Sequence, residues 1–326
     1  MHILTTGGAG FLGHHFVEAV LKTTDHSITI IDRLTYASSG FDRLKDIGAY
    51  DNPRIKIFTH DFVQPITGEL AREIGKPDWI VHMGAETHVD NSIKNPEPFV
   101  MSNVIGTMRM LDFASTLPEI KKFLYFSTDE VFGDAPTGLE YHEWSRYNCR
   151  NPYAASKAGG EELALAYANT YGIPMIITHC HNIFGERQHK EKFIPIVINK
   201  CREGGELDIH CTKSVPASRS WIHARNVSDV VLFLLKNTPE NVRNKFNIPG
   251  IELNNLDLAL FIAQTMGVEM AYKKMDYYSG RPGHDPRYKL NADKIKDMGW
   301  VAPVSIYDSL TKTINWSLEN ERWLDW

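Results

Sequence analysis

Two short stretches hold the side chains best placed to do chemistry. Ser127-Thr128-Asp129-Glu130 sets two adjacent acids after an apolar run, and Tyr153-Ala154-Ala155-Ser156-Lys157 spaces a phenol and an ammonium as Tyr-x-x-x-Lys. On a helix that spacing puts both groups on one face, a turn apart. The cation then favours phenolate, so a tyrosine of ordinary pKa about 10 becomes a base near neutrality. Asp129 and Glu130 add a second couple, one acid to give a proton and one to take it. Moving a hydride alone has no use for that couple. Oxidation followed by elimination of water needs it.

The elements that must position these groups begin at the N-terminus. Met1 to Thr6 reads as a short buried strand, followed at once by Gly7-Gly8-Ala9-Gly10-Phe11-Leu12-Gly13 and an amphipathic run through Phe16, Val17, Val20 and Leu21. Glycines at 7, 10 and 13 suit a tight turn, a close backbone approach to a pyrophosphate and tight helix-sheet packing. The helix N-terminus then faces the phosphates. A second strand, Ser27 to Ile31, ends at Asp32, where a carboxylate would accept hydrogen bonds from ribose hydroxyls. It would repel the extra phosphate of NADP, so NAD is the expected cofactor. Arg33 could attract that phosphate, but behind Asp32 it reads as a solvent-facing arginine.

Further strands read at Arg54 to Phe58, Asp78 to His82, Lys122 to Phe126 and Met175 to Thr178, with helices around Phe99 to Ser115 and Tyr153 to Tyr171. The alternation predicts an α/β fold: a Rossmann-type, doubly wound parallel sheet with helices on both faces. Gly7, Asp32, Ala85, Ser127 and Cys180 then fall at the carboxyl ends of strands, where ligands bind in such sheets. From about His181 the rhythm breaks into shorter, more polar pieces. Residues 1–182 plus about 218–250 are therefore assigned to the NAD-binding domain, and about 183–217 plus 251–326 to a smaller C-terminal α/β substrate-binding lobe.

Composition narrows the partners. A net charge of -5 gives no basic footprint for nucleic acid. Cys149, Cys180, Cys201 and Cys211 show no Cys-x-x-Cys spacing and read as reduced thiols in a cytosol. Residue 1 already opens the first strand and no long apolar run follows, so neither a leader nor a membrane span is expected, and the location read is cytoplasmic. His179-Cys180-His181 resembles a metal-binding cluster, but alternation along a strand explains it and no metal is expected.

Taken together, these motifs resemble the extended short-chain dehydrogenase/reductases, and within them the nucleotide-sugar 4,6-dehydratases acting on glucose. The likeness runs nearly end to end: Thr6 to Gly13, Asp32 to Ala37, Ala85 to Asp90, Asn103 to Thr107, Ser127 to Gly133, Tyr153 to Lys157, Glu191 to Pro195 and Arg281 to Asp285. The glycine turn and Tyr-x-x-x-Lys belong to the whole superfamily, whereas Asp-Glu after Ser-Thr separates dehydratases from epimerases and decarboxylases. The resemblance implies that Tyr153, aided by Lys157, deprotonates the sugar 4-hydroxyl as C4 is oxidised. Glu130 then takes the C5 proton, Asp129 protonates the departing 6-hydroxyl, and the borrowed hydride returns to C6. Thr128 matches the position that hydrogen-bonds the sugar near C4.

For the cofactor the resemblance implies Phe11 and Leu12 at the pyrophosphate, Asp61 and Phe62 at the adenine, and Ala85 and Ser102 on the nicotinamide side, with Leu34, Thr35 and Ser127 also among the binding residues. Thr87, Asn182, Lys192, Phe193, Arg219, Asn255, Arg281 and His284 match positions facing the nucleotide sugar, the arginines suiting a diphosphate. It also implies a homodimer and an early step of deoxysugar or rhamnose-type biosynthesis. Departures are visible. Asn182-Ile183-Phe184-Gly185 replaces Asn-Asn-Tyr-Gly, His210-Cys211 replaces a Tyr-Gly pair, and the segment from Gly133 to Tyr153 is short. Arg219-Ser220-Trp221 replaces Arg-Asp-Trp and is reminiscent of UDP-glucose enzymes, so UDP-glucose and dTDP-glucose both stand as substrates. A 4-epimerase would share the fold and Tyr153-Lys157 without a use for Asp129-Glu130. A non-catalytic NAD-binding protein would have no need of the filled catalytic positions.

Overall fold

The computed structural model describes residues 1–239, 244–277 and 283–325. Its main sheet contains β1 (His2–Thr6), β2 (Ser27–Asp32), β3 (Ile55–Thr59), β4 (Trp79–His82), β5 (Lys122–Thr128) and β6 (Met175–Cys180), with α1 (Phe11–Thr23) following β1. A seventh strand, Asn244–Asn247, pairs parallel with β6, and the order across the sheet is Asn244–Asn247, β6, β5, β4, β1, β2, β3. Every pairing within it is parallel. The expected fold class is the observed one.

Such a sheet is buried on both faces, which explains its nearly continuous apolar strands. Alternate residues go to opposite sides. Ile3, Ile28, Ile30 and Val81 pack against Phe16, Val17 and Val20 of α1 and against Val227, Val230 and Leu234 of the helix Ala224–Asn237. Leu4, Ile31, Ile80 and Phe123 instead meet Met110, Leu111 and Phe113 of the helix Thr107–Ser115 and Ala164 of the helix Pro152–Tyr171. The chain passes from β3 back across to β4 on the far side of β1, so the strand order reverses between β1 and β4 and a crevice opens above their carboxyl ends.

Two small sheets complete the structure. One joins Ile251–Asn254, Ser218–His223 and Asn182–Phe184; the other joins Tyr272–Asp276, Leu207–Thr212 and Val215–Pro216. Around them lies a third core, in which Phe184, Ile198, Ile209, Trp221, Ile262 and Ile314 meet. Among the described residues no helix is long and apolar enough to cross a membrane.

The structure corrects the single helix expected from Phe99 to Ser115. A short helix, Glu97–Val100, runs into a π-helical turn, Met101–Gly106, before Thr107–Ser115 resumes the α-helix. Wide turns of this kind cluster at functional sites. Here the turn carries buried Asn103, whose amide accepts from the Glu86 backbone N–H at 2.9 Å and donates to the Glu86 carbonyl at 2.9 Å and to Ser156 Oγ at 2.9 Å. The loop after β4 is thereby tied to the Pro152–Tyr171 helix.

The glycine turn is sterically strict. A Cβ on Gly13 would stand 2.0 Å from the Gly7 carbonyl oxygen, and one on Gly7, where φ is +71°, would stand 2.7 Å from Gly84 Cα. Gly13→Ala therefore destabilises the fold by about 1–3 kcal/mol, the usual cost of overpacking, and opens the turn. Urea denaturation checks this; an unchanged midpoint would contradict the packing assigned to Gly13.

Candidate active site

A cavity of about 480 Å³ opens above the carboxyl ends of the strands. Its wall includes Gly7, Gly10, Phe11, Leu12, Gly13, Asp32, Thr35, Phe62, Ala85, Ser102 and Ser127. Thr128, Asp129, Glu130, Tyr153 and Lys157 line the same cavity, as do Thr87, Asn182, Lys192, Phe193, Arg219 and His284. Three of the expected site residues, Leu34, Asp61 and Asn255, are not among the lining residues. Leu34 contributes its backbone N–H to Asp32 at 2.9 Å. Asp61 turns to Arg33 and to the Val63 N–H. Asn255 opens the helix Asn255–Met266 away from the cavity wall. Arg281 lies outside the described residues.

At the cofactor end the buried Asp32 carboxylate accepts from Ala9 N–H and Leu34 N–H, both at 2.9 Å, which fixes it at the tip of β2 over the glycine turn. Burial raises its pKa, against those two backbone donors. Ser127 Oγ is buried without a hydrogen-bond partner, a polar atom waiting for a ligand at the tip of β5. The clash-bound glycines, the fixed acid and the orphaned hydroxyl fit a dinucleotide. Arg33 is not the solvent-facing residue expected. It lines the cavity and pairs with Asp61 at 3.2 Å and with Glu86.

At the chemical end, Thr128 caps the tight turn Asp129–Phe132 by accepting from Glu130 N–H at 3.3 Å. The turn presents the two acids side by side. Burial, then the charge of Asp129, lifts the Glu130 pKa to about 7, opposed by a hydrogen bond from Asn151. Asn151 is the N-cap of the Pro152–Tyr171 helix: its Oδ1 accepts from Ala154 N–H at 2.8 Å while its Nδ2 donates to Glu130 at 3.0 Å. Tyr288 adds a longer hydrogen bond to Glu130 at 3.4 Å.

The Tyr153-Lys157 pair departs from expectation. Burial, then Glu130, pushes the Tyr153 phenol well above its ordinary pKa, with a hydrogen bond to Thr128 pulling the other way. Burial lowers Lys157 to about 7 despite the pull of Glu161, and its Nζ sits 4.3 Å from the Tyr125 ring centroid. Helical spacing gives the two groups a shared face but does not set their charges. Burial and the neighbouring acids favour the phenol form of Tyr153.

Arg219 also differs. Its guanidinium donates to the carbonyls of Ser218, Pro286 and Asp285 at 2.7, 2.8 and 2.7 Å and to the Tyr277 hydroxyl at 3.0 Å, and lies over the Tyr288 ring. Its fork is largely taken up in holding the Asp285–Tyr288 segment over the cavity. His181, Asn151, Tyr288, Glu86, His189 and Glu191 border or support the site and were not picked out as site residues from the sequence. Glu86 and Glu191 lie within runs that carry the family resemblance, and Asn151 left a signal of its own as an asparagine before a proline at a helix start.

A glycine turn, a ribose acid and a Tyr-Lys helix around one crevice of a parallel sheet define a dinucleotide-dependent enzyme of the short-chain dehydrogenase type. The chain belongs to the NAD dependent epimerase/dehydratase family, which it matches over residues 3–248. It is 35% identical to dTDP-glucose 4,6-dehydratase 1 of Escherichia coli (strain K12), an alignment covering 100% of this chain and 95% of that protein. The crystal structure of the dTDP-glucose 4,6-dehydratase of Streptomyces venezuelae with NAD bound superposes with a TM-score of 0.89 at 34% identity, covering 99% of this chain and 98% of that one. The UDP-glucuronic acid 4-epimerase of Bacillus cereus, at 22% identity and a TM-score of 0.88 over 98% of this chain and 100% of its own, shares the fold.

The Glu130 environment makes a direct prediction. Its carboxyl band in infrared difference spectra should disappear around pH 7 as it ionises, and should be missing in Glu130→Gln. Asn151→Asp keeps a good N-cap, removes the donor to Glu130 and adds a like charge, so the midpoint should move to higher pH. A midpoint in the ordinary carboxylate range would refute this environment.

Proposed function

We propose that this protein is an NAD-dependent 4,6-dehydratase of a nucleoside diphosphate glucose, giving the 4-keto-6-deoxy sugar and water. The observation that carries the reading is the Asp129-Glu130 pair, set side by side on the turn after β5 in the same cavity as Tyr153 and the glycine turn. Gly7, Gly10, Gly13, Asp32 and Ser127 are the residues that would hold NAD. Bound NAD supplies the hydride acceptor for C4, the hydride donor for C6 and, in its oxidised form, a positive charge in this cleft.

Tyr153 removes the 4-hydroxyl proton as C4 is oxidised, and must be ionised to do so. The phenol form favoured by burial therefore calls for added positive charge on complex formation. Lys157, poised near 7, supplies part of it by taking up a proton. The new ketone acidifies C5. Glu130, with a pKa of about 7, is matched both to take the C5 proton and to return it later. Asp129 protonates the leaving 6-hydroxyl. A 4-epimerase reaction would leave this acid pair without work.

The names of the relatives favour thymidine over uridine as the base, although the two differ by one methyl group, worth only about 1–3 kcal/mol in a pocket. A homodimer is part of the proposal. Val100 and Met101 are exposed beside the packed helices Thr107–Ser115 and Pro152–Tyr171, as is Tyr171 at the end of the second, so these helices offer apolar surface to a second copy. A cytoplasmic biosynthetic role completes it.

Mass spectrometry of a panel of dTDP-glucose, UDP-glucose, UDP-N-acetylglucosamine and GDP-mannose tests the reading. Loss of one water from a glucose nucleotide is expected, and its absence from all four overturns the proposal. Two variants separate the half-reactions. Tyr153→Phe should abolish both C4 oxidation and water loss. Glu130→Gln should still oxidise C4, seen as absorbance of reduced cofactor, while water loss falls about 10²–10⁴-fold, the range of an acid-base residue. Undiminished dehydration by Glu130→Gln would remove Glu130 from its role.

A further inference from the structure

Asp129 is asked to donate a proton near neutrality, which a carboxyl does only if something holds that proton for it. His181, the residue directly after β6, stands against it. His181 Nδ1 is 2.8 Å from Asp129 Oδ2, and the two side chains are only 1% and 3% accessible. The other carboxyl oxygen accepts from Thr128 Oγ1 at 3.2 Å. The imidazole is confined as well: a Cβ on Gly250 would come within 2.8 Å of its Cδ2, and within 3.1 Å of Ser220 Cβ. Ser220 brings no competing charge. His181 Nε2 has no hydrogen-bond partner among the described residues, and the ring lines the cavity.

We propose that His181 is a positioning residue for the dehydration, fixing the Asp129 carboxyl and reloading it with a proton after each loss of water. The proposal rests on the dehydratase reading. In the elimination the C5 proton goes to Glu130 and its bonding electrons form the C5–C6 double bond. The C6–O bond breaks with its electrons on oxygen, the Asp129 proton joins that oxygen, and water leaves. Asp129 is then a carboxylate beside a neutral imidazole; the pair takes up one proton from solvent, held at Nδ1 between ring and carboxylate, and that proton reloads Asp129. Tyr153 returns to solvent the proton it took from the 4-hydroxyl, so each turnover admits one proton and releases one.

The 2.8 Å hydrogen bond joins the two side chains into one unit. Facing it are Glu130 from its own turn, Tyr153 from the Pro152–Tyr171 helix, Cys180 from β6, and Tyr288 from the C-terminal segment; Arg219 and Asp285 act on the same acid pair through Glu130. Elimination requires a proton on Asp129, so its rate falls along an alkaline limb as pH rises. Loss of the imidazole should move that alkaline limb to lower pH.

The test compares holoenzyme with His181→Asn, whose amide nitrogen can occupy the Nδ1 position and keep the hydrogen bond without titrating. His181→Ala serves as the full deletion. Transient reduced cofactor reports C4 oxidation and mass loss reports elimination. His181→Asn should oxidise C4 at the wild-type rate and lose water about 10²-fold more slowly, the low end of general-acid catalysis, with its alkaline limb displaced. A 6-deoxy-6-fluoro substrate, whose fluoride leaves without a proton from Asp129, should restore elimination to the wild-type rate. Wild-type water loss and an unmoved alkaline limb in His181→Asn would overturn the proposal, as would equal slowing of both half-reactions with no rescue by fluoride. Wild-type enzyme that dehydrates no glucose nucleotide would instead overturn the dehydratase reading itself.

Discussion

Two carboxyl groups placed side by side in a crevice that excludes most water are the constraint on which this structure depends. Neighbouring carboxylates in such a place cannot both be charged without large cost. The protein answers by giving each a different environment. Glu130 is raised to about 7 by burial and by its neighbour, held by Asn151 and Tyr288. Asp129 is bound at both oxygens, by His181 and Thr128. Two groups of one kind thus acquire two roles, which is how acid and base chemistry run together at one pH.

The same logic extends beneath the site. One turn along the helix from Lys157, Glu161 is fully buried and accepts from His179 at 3.0 Å and pairs with Lys245 at 2.8 Å. Burial pushes its pKa up, but His179 and Lys245 together hold it well below the ordinary carboxylate range. Charge in this cluster is compensated locally, so the catalytic helix can lie across the strand ends without an unpaired charge under it. Asn103 and Asn151 then fix that helix to the loop after β4 and to the acid turn.

Much of this was legible in the sequence because its signals are local. A strand, a glycine turn and a helix in immediate succession fix the cofactor end, and two-residue alternation separates the faces of the sheet. The acid pair and the Tyr-Lys spacing were equally plain. What escaped depends on residues distant in the chain. His181 meets Asp129 across 52 positions and Tyr288 meets Glu130 across 158, so neither contact leaves a local pattern. Arg219 lines the cavity as expected, but the backbone carbonyls to which its guanidinium donates are brought to it only by the folded chain. The effect of burial on Tyr153 and Lys157 was hidden for a related reason: spacing tells which groups share a face, while desolvation depends on everything packed around them.

The central claim is that one cavity oxidises C4, expels the C6 oxygen and returns the same hydrogen to the same sugar. Incubating the protein with glucose nucleotide deuterated at C4, in ordinary water, tests it most directly. The dehydrated product is expected to carry the label at C6 and ordinary hydrogen at C5. A product that has lost water yet retains deuterium at C4, or one whose label has washed out to solvent, would contradict it.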